Sequence, residues 1–504
     1  MNKNYHFINK YFQNIRHELL YLIPLVAGYI IALWVIAKYS WVLPEQLYMR
    51  SKLLESGKIF SLESFKACID WRVMEFAPRY TRPMSNIFEC FDTNFRAFMW
   101  FYITPSPYIK LSNIVLFIFA PFFLFNAFNK LGIHKLYSSF GIFIFLLSPG
   151  FLSHLVMDFR PGKSFVLLLS TLQVFISTFN SNIKLYCKIT LFVTFVSVFF
   201  DETFLVVAII PFFLNSEKYF NLKYILYTIL TITVAVGLML VCQYIIFSIF
   251  SIPFENPFKY APMTKNSLYS NELIFDLFMT FFLSLNESLL FPTGGDFVVI
   301  ANLIWLFLII FLSYMIIKEI DNNIYNKKWI KTEFKITMLI LMLVFYSIIH
   351  AVFMSRVDNN VWGIFYYGTY GSLAGCMIWT LCCSRFSENI NNKMPIMVAM
   401  IVVGFGQLIG FLHTNEVYRD LHYYPHKPIF IMKYFKSEYD RFRWISREPI
   451  FNDEDRLQLW IKSKNNLLTA ENLNSVPRSF LYIPIESSAG RYQFPIQLMW
   501  SWER

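Results

Sequence analysis

The chain has 504 residues, of which 56% are hydrophobic and 20% aromatic, while only 15% are charged. Soluble globular chains carry about a quarter charged residues, so this composition excludes a water-soluble protein and points to a bundle of membrane helices. The formal net charge of +11 does not signal a nucleic-acid partner, because the cations sit in short loops between apolar runs, where they set topology rather than bind phosphate backbones.

In chain order, Lys3, Lys10 and Arg16 precede a first apolar run, Leu19–Ala37, which is long enough to span and has no small-residue cleavage motif. It reads as a signal anchor. A polar stretch, 38–110, follows, and interfacial helices are expected within it. Further spans are expected near Leu111–Phe128, Ser138–Val156 and Ser164–Phe179. Two short apolar pieces, Cys187–Phe200 and Thr203–Leu214, flank Asp201 and Glu202. The remaining spans fall near Tyr224–Phe250, Phe297–Ile317, Ile336–Met354, Trp362–Cys383 and Pro395–His413. Ile274–Leu290 is apolar but carries Asp276, Asn286 and Glu287, so it reads as an interfacial or re-entrant helix. Beyond Thr414 the chain is polar and aromatic, and Phe480–Ile483 looks like a strand.

Lysine placement sets the orientation. With the N-terminus in the cytoplasm, the inner loops hold Lys130, Lys135, Lys184, Lys188, Lys218, Lys223 and the Lys318–Lys335 cluster. Reading Thr190–Leu214 as one span would turn that cluster outward, so the charge pattern favours a hairpin of two short helices with Asp201 and Glu202 at its outer turn. The expected fold is therefore all-α, a polytopic bundle of about 11 transmembrane helices with a large outer first loop. Residues 1–414 form the transmembrane domain and 415–504 a small extracytoplasmic C-terminal region. Of the seven cysteines, five lie in or beside apolar runs. Cys68 and Cys90 share the first outer loop, where a disulfide and two free thiols are both open.

Three outer segments could carry chemistry. The loop from Ile69 to Asn86 combines Asp70 and Glu75 with Arg72, Arg79 and Arg82. Carboxylates of this kind can deprotonate an acceptor hydroxyl, and arginines can hold a phosphate by forked hydrogen bonds. The plainer alternative is a solvated loop whose charges pair with one another. Asp158, Arg160 and Lys163 surround a turn that suits a lipid-phosphate headgroup or ordinary interfacial anchoring. Asp201 and Glu202 are adjacent acids that must pair, bind a cation, line a wet cavity or sit in a simple headgroup-level turn. Arg356 and Asp358 close the span Ile336–Met354 on the outer side. His154 and His350 read as buried, hydrogen-bonded histidines. The sequence holds no P-loop, H-E-x-x-H, G-x-S-x-G or zinc spacing, which argues against ATP hydrolysis and metalloprotease chemistry.

The segment Arg79-Tyr80-Thr81-Arg82-Pro83-Met84-Ser85-Asn86 resembles the R-F-R-P-L-S-N stretch of bacterial membrane proteins in the GT-C glycosyltransferase superfamily. Phe200-Asp201-Glu202-Thr203 is similar to that family's S-K-E-T/S between two short helices, although a basic residue is usual where Asp201 stands. The family's catalytic acid follows the first helix closely, often in an acidic pair. Here the first acid is Glu45 and the loop has no such pair.

The resemblance implies inverting transfer of a sugar from a polyprenyl-phosphate carrier to a glycan, lipid or protein acceptor at the outer face of a bacterial inner membrane. Asp70 would be the general base, with Glu75 as the second choice. Arg79, Arg82, Arg160, Lys163 and Arg356 would bind the donor phosphate. Asp158, Asp201 and Glu202 would orient the acceptor or hold a divalent cation, and no other cofactor is implied. The partners are the bilayer, the lipid-linked sugar and the acceptor. A polyprenyl-linked glycan flippase, or an O-antigen-type polymerase or ligase, is the rival reading.

Overall fold

The computed structural model describes residues 20–39, 82–102, 110–156, 161–179, 183–215, 221–249, 369–389, 393–423, 482–487 and 490–495, together with residue 219 and parts of 60–65 and 335–348. The described elements are helices apart from one hairpin. The helices are α1 (Ile23–Tyr39), α2 (Pro83–Tyr102), α3 (Leu111–Lys130), α4 (Lys135–Leu147), α5 (Pro149–Val156) and α6 (Pro161–Ser177). They continue with α7 (Ile183–Val198), a 3-10 turn (Glu202–Phe204), α8 (Leu205–Leu214), α9 (Leu222–Ile249), α10 (Thr369–Asn389) and α11 (Met394–Tyr423). β1 (Tyr482–Ser487) pairs antiparallel with β2 (Gly490–Pro495). The expected strand at Phe480–Ile483 therefore overlaps the start of β1. The last helix continues through residue 414 to Tyr423 rather than ending near His413.

Among the described residues, three helices are long and apolar enough to cross a membrane: Leu111–Lys130, Leu222–Ile246 and Met394–Leu412. A fourth crossing follows if α4 and α5 count as one span bent by 50°. This defines a helical membrane protein. The expected spans at Phe297–Ile317, the re-entrant segment Ile274–Leu290 and most of Ile336–Met354 lie outside the described residues.

Proline places several boundaries. Pro83, Pro149 and Pro161 open α2, α5 and α6, where a missing N–H is harmless and the fixed φ suits a helix start. The expected straight span Ser138–Val156 breaks at Pro149. Pro149 lacks the donor the ladder needs, and it pushes Ser148 into extended backbone (ψ 146°). The Ser148 hydroxyl then accepts from the Phe151 amide at 3.3 Å, which caps α5.

The core centres on α4, whose residues from Tyr137 to Leu147 are buried and which packs on α1, α3, α10 and α11. Water cannot drive helix association inside lipid, so close backbone approach matters there. Gly141 shows this. A Cβ at that position would collide with Thr380 and Phe128, and its carbonyl accepts from Cys376 Sγ at 2.9 Å. By contrast, α9 leaves much of its surface open, with Leu222, Leu230 and Val241 more than half exposed. That exposure suits lipid contact.

The hydrogen bonds show how the chain reverses around Asp201. Gln173 donates to the Thr190 carbonyl (3.3 Å), so α7 runs back along α6. Asn215, just past α8, donates to the Ser177 carbonyl at the end of α6 (3.1 Å). α7 and α8 therefore form a hairpin, and Asp201 stands at its far turn.

Candidate functional site

Four helix starts meet beside that turn. Arg82 immediately precedes α2, Lys163 lies in the first turn of α6, Asp201 caps the 3-10 turn, and Tyr370 is the second residue of α10. All four are buried: Arg82 is 7% exposed, Tyr370 2%, and Lys163 and Asp201 are wholly enclosed. Gly162 lets these starts close up. A Cβ there would run into the Phe200 carbonyl and lie 2.6 Å from Ser85 Oγ. The backbone carbonyl cannot yield, so Gly162→Ala is expected to destabilise the fold by about 1–3 kcal/mol, as overpacking does. Heat-challenged size-exclusion profiles in detergent would check it, and an unchanged midpoint would refute the close approach.

Arg82 Nη1 donates to Asp201 Oδ2 at 2.6 Å, joining residues 119 positions apart. The other carboxylate oxygen, Oδ1, accepts from the Thr203 amide (3.0 Å) and hydroxyl (2.9 Å). Thr203 Oγ1 in turn shares a hydrogen bond with the Tyr370 hydroxyl at 2.8 Å. Burial alone would push the Asp201 carboxyl upward. Arg82, then Lys163, then the Thr203 hydrogen bonds outweigh that and hold it below the usual carboxylate range. Next to Lys163 in the chain, Ser164 Oγ lies 3.2 Å from His154 Nδ1, so His154 is the buried, hydrogen-bonded histidine the sequence suggested.

Farther along α2, Asp92 accepts from the Ser112 amide (2.9 Å) and from the Ser112 hydroxyl. Asp92 thus caps the start of α3 from another helix. Glu89 and Lys110 are also buried here, at 0% and 2% exposure. None of Glu89, Asp92, Lys110, Thr203, Tyr370 or Ser164 was singled out from the sequence. One signal for the α2 group exists: Arg82, Ser85, Glu89 and Asp92 recur at helical spacing, and all are buried.

The structure thus brings Arg82, Lys163 and Asp201 together, and Glu202 opens the adjacent turn. Asp70, Glu75, Arg79, Asp158, Arg160, Arg356 and His350 lie outside the described residues. Cys90 is disulfide-bonded and buried. The other five described cysteines are free, and Cys68 lies outside the described residues. Among the described residues, no group of three or more His, Cys, Asp or Glu could hold a metal.

Electrostatically the cluster sets two cations, Arg82 and Lys163, at helix starts, where the helix dipole adds partial positive charge, and Asp201 pairs directly with Arg82. Helix starts of this kind favour anionic groups. Comparisons with protein-family models, with curated proteins and with solved structures find no match to this chain.

Proposed function

We propose that the chain is a membrane glycosyltransferase of the GT-C type, moving a sugar from a polyprenyl-phosphate carrier to a glycan, lipid or protein acceptor. One observation carries the reading: the Arg82–Asp201 ion pair joins the two short segments on which the resemblance rests. The basic residue usual at the position of Asp201 is absent. Lys163, however, reaches within electrostatic range of Asp201 from α6 and brings a cation to the same place.

In this reaction the acceptor oxygen attacks the anomeric carbon, whose bond to the carrier phosphate breaks. The acceptor proton passes to Asp70, or to Glu75 in the second assignment. The departing polyprenyl phosphate takes the bonding electron pair, and Arg82 and Lys163 stabilise its charge. Arg79, Arg160 and Arg356 are the further cations assigned to it. Arg82 and Thr203 engage both oxygens of Asp201, which favours a positioning or acceptor-orienting role over cation binding. Asp158 and Glu202 keep the acceptor-side or cation role.

The topology belongs to the same proposal: about eleven spans in a bacterial inner membrane, with the N-terminus inside and the first loop and tail outside. The disulfide at Cys90 supports an outer, oxidising location for α2. The rival flippase would need charges midway along its helices to line a path. Among the described residues, the buried Arg82, Lys110, Lys163 and Asp201 stand just before a helix or in its first turn, and the buried acids midway along a helix, Glu89 and Asp92, lie on α2, which is not among the helices apolar enough to span; this favours the transferase.

The test is release of polyprenyl phosphate from polyprenyl-phosphate sugars by the purified protein in nanodiscs supplied with acceptor-containing membrane extract. Transfer is expected. Absence of release with every such donor, together with movement of a fluorescent polyprenyl lipid between leaflets, would replace the proposal with the flippase.

A further inference from the structure

The helix α2 is amphipathic in the opposite sense to a helix on a water-soluble protein. Its polar residues point inward: Ser85, Glu89 and Asp92 are at most 3% exposed. Its apolar residues point outward: Met84 is 42%, Ile87 40%, Phe91 39% and Phe98 36% exposed. The intervals of three, four and seven residues place these four on one face.

The short segment 60–65 extends the apolar patch. Asn94, buried on α2, accepts from the Phe60 amide (2.8 Å) and the Ser64 hydroxyl (2.9 Å) and so fastens the segment to the helix. Phe60 then lies against Phe98 (centroids 6.3 Å) and Phe65 against Phe91 (4.9 Å).

In water this arrangement would be unfavourable on both counts, because it buries charge and leaves large apolar side chains wet. Hydrocarbon surroundings remove the second penalty, and they make the inward orientation of the polar residues the favourable one, because facing lipid would cost a charge more. The helix packed on α2, α3, likewise leaves Leu111, Ile114 and Ile118 37%, 38% and 51% exposed, and α3 is itself long and apolar enough to span.

From the inverted polarity of α2 and its packing on a helix apolar enough to span, we infer that the outward face of α2, with the clipped 60–65 segment, is a lipid-binding surface. α2 lies in the bilayer rim against acyl chains and is not part of a water-exposed loop. The inference does not depend on the transferase reading. If that reading also holds, a lipid carrier reaches Arg82 sideways past α2 without leaving the membrane.

The test uses single spin labels at Ile87, Phe91 and Phe98, in a chain retaining Cys68 and Cys90 with Cys187, Cys242, Cys376, Cys382 and Cys383 changed to Ala, reconstituted in phosphatidylcholine–phosphatidylglycerol nanodiscs. Collision with oxygen should be high at all three sites. Collision with a water-soluble nickel chelate should be several-fold lower than for a label at the exposed Lys393 between α10 and α11. High nickel collision at the three sites would overturn the inference by placing the face in water. Low collision with both probes would overturn it by showing a protein cover, such as a second copy of the chain. Should the cysteine-replaced chain not fold, benzoylphenylalanine at Phe91 of the unaltered chain decides the matter. A photo-adduct with lipid supports the inference, and crosslinking to another protein surface overturns it.

Discussion

Asp201→Asn is expected to destabilise the helix bundle by about 3–5 kcal/mol, the usual cost of removing one partner from a buried ion pair. The substitution keeps the shape of the side chain and much of its hydrogen bonding to Thr203, so the loss reports charge. It removes the carboxylate that Arg82 pairs with, beside a second buried cation, Lys163, at helix N-termini that already disfavour positive charge. Arg82→Met should cost less, because Lys163 still neutralises Asp201 and the methionine fills the space with apolar atoms. The order of the two effects is the discriminating result. Heat-challenged size-exclusion chromatography in detergent reads it directly. Equal or reversed losses would mean that Lys163 does not share the Asp201 charge. The same pair should be non-additive in a double-mutant cycle, as contacting groups are.

Asp70→Asn is expected to lower sugar transfer by about 100- to 10,000-fold while leaving the folded protein intact, the range for loss of a general base. Asparagine matches aspartate in size but cannot accept the acceptor's proton. In the sequence Asp70 precedes Arg72, Arg79 and Arg82 in the same outer segment. Arg82→Ala should also lower transfer, but it should lower thermal stability with it, because it breaks the buried pair with Asp201. That difference separates the two residues: one variant is folded and inactive, the other inactive and weakened. Polyprenyl phosphate release in nanodiscs measures the first quantity and the melting profile the second. Near-normal turnover by Asp70→Asn would remove it as the base and pass the role to Glu75.

The sequence by itself determined the membrane class and the approximate positions of the described helices other than α2. Both follow from local quantities: apolar length against bilayer thickness, proline at helix starts, and lysine between apolar runs. The hairpin around Asp201 was legible for the same reason, since charge parity favoured it over a single crossing of Thr190–Leu214, and Asn215 beside Ser177 shows the return. The break at Pro149 could also have been read locally, but a continuous apolar run masked it. Only the tertiary structure decided what Arg82 and Asp201 do. A contact across 119 positions leaves no periodic trace, so each residue alone reads as a loop charge with several possible roles. The same holds for Asp92, which looks like a solvated acid until the start of α3 is placed beneath it. α2 shows the difference most plainly. Its composition reads as a polar loop, because counting residues cannot tell which face is buried. Packing against α6 and α3 turns Glu89 and Asp92 inward and leaves Ile87, Phe91 and Phe98 outward, an arrangement that suits lipid better than water.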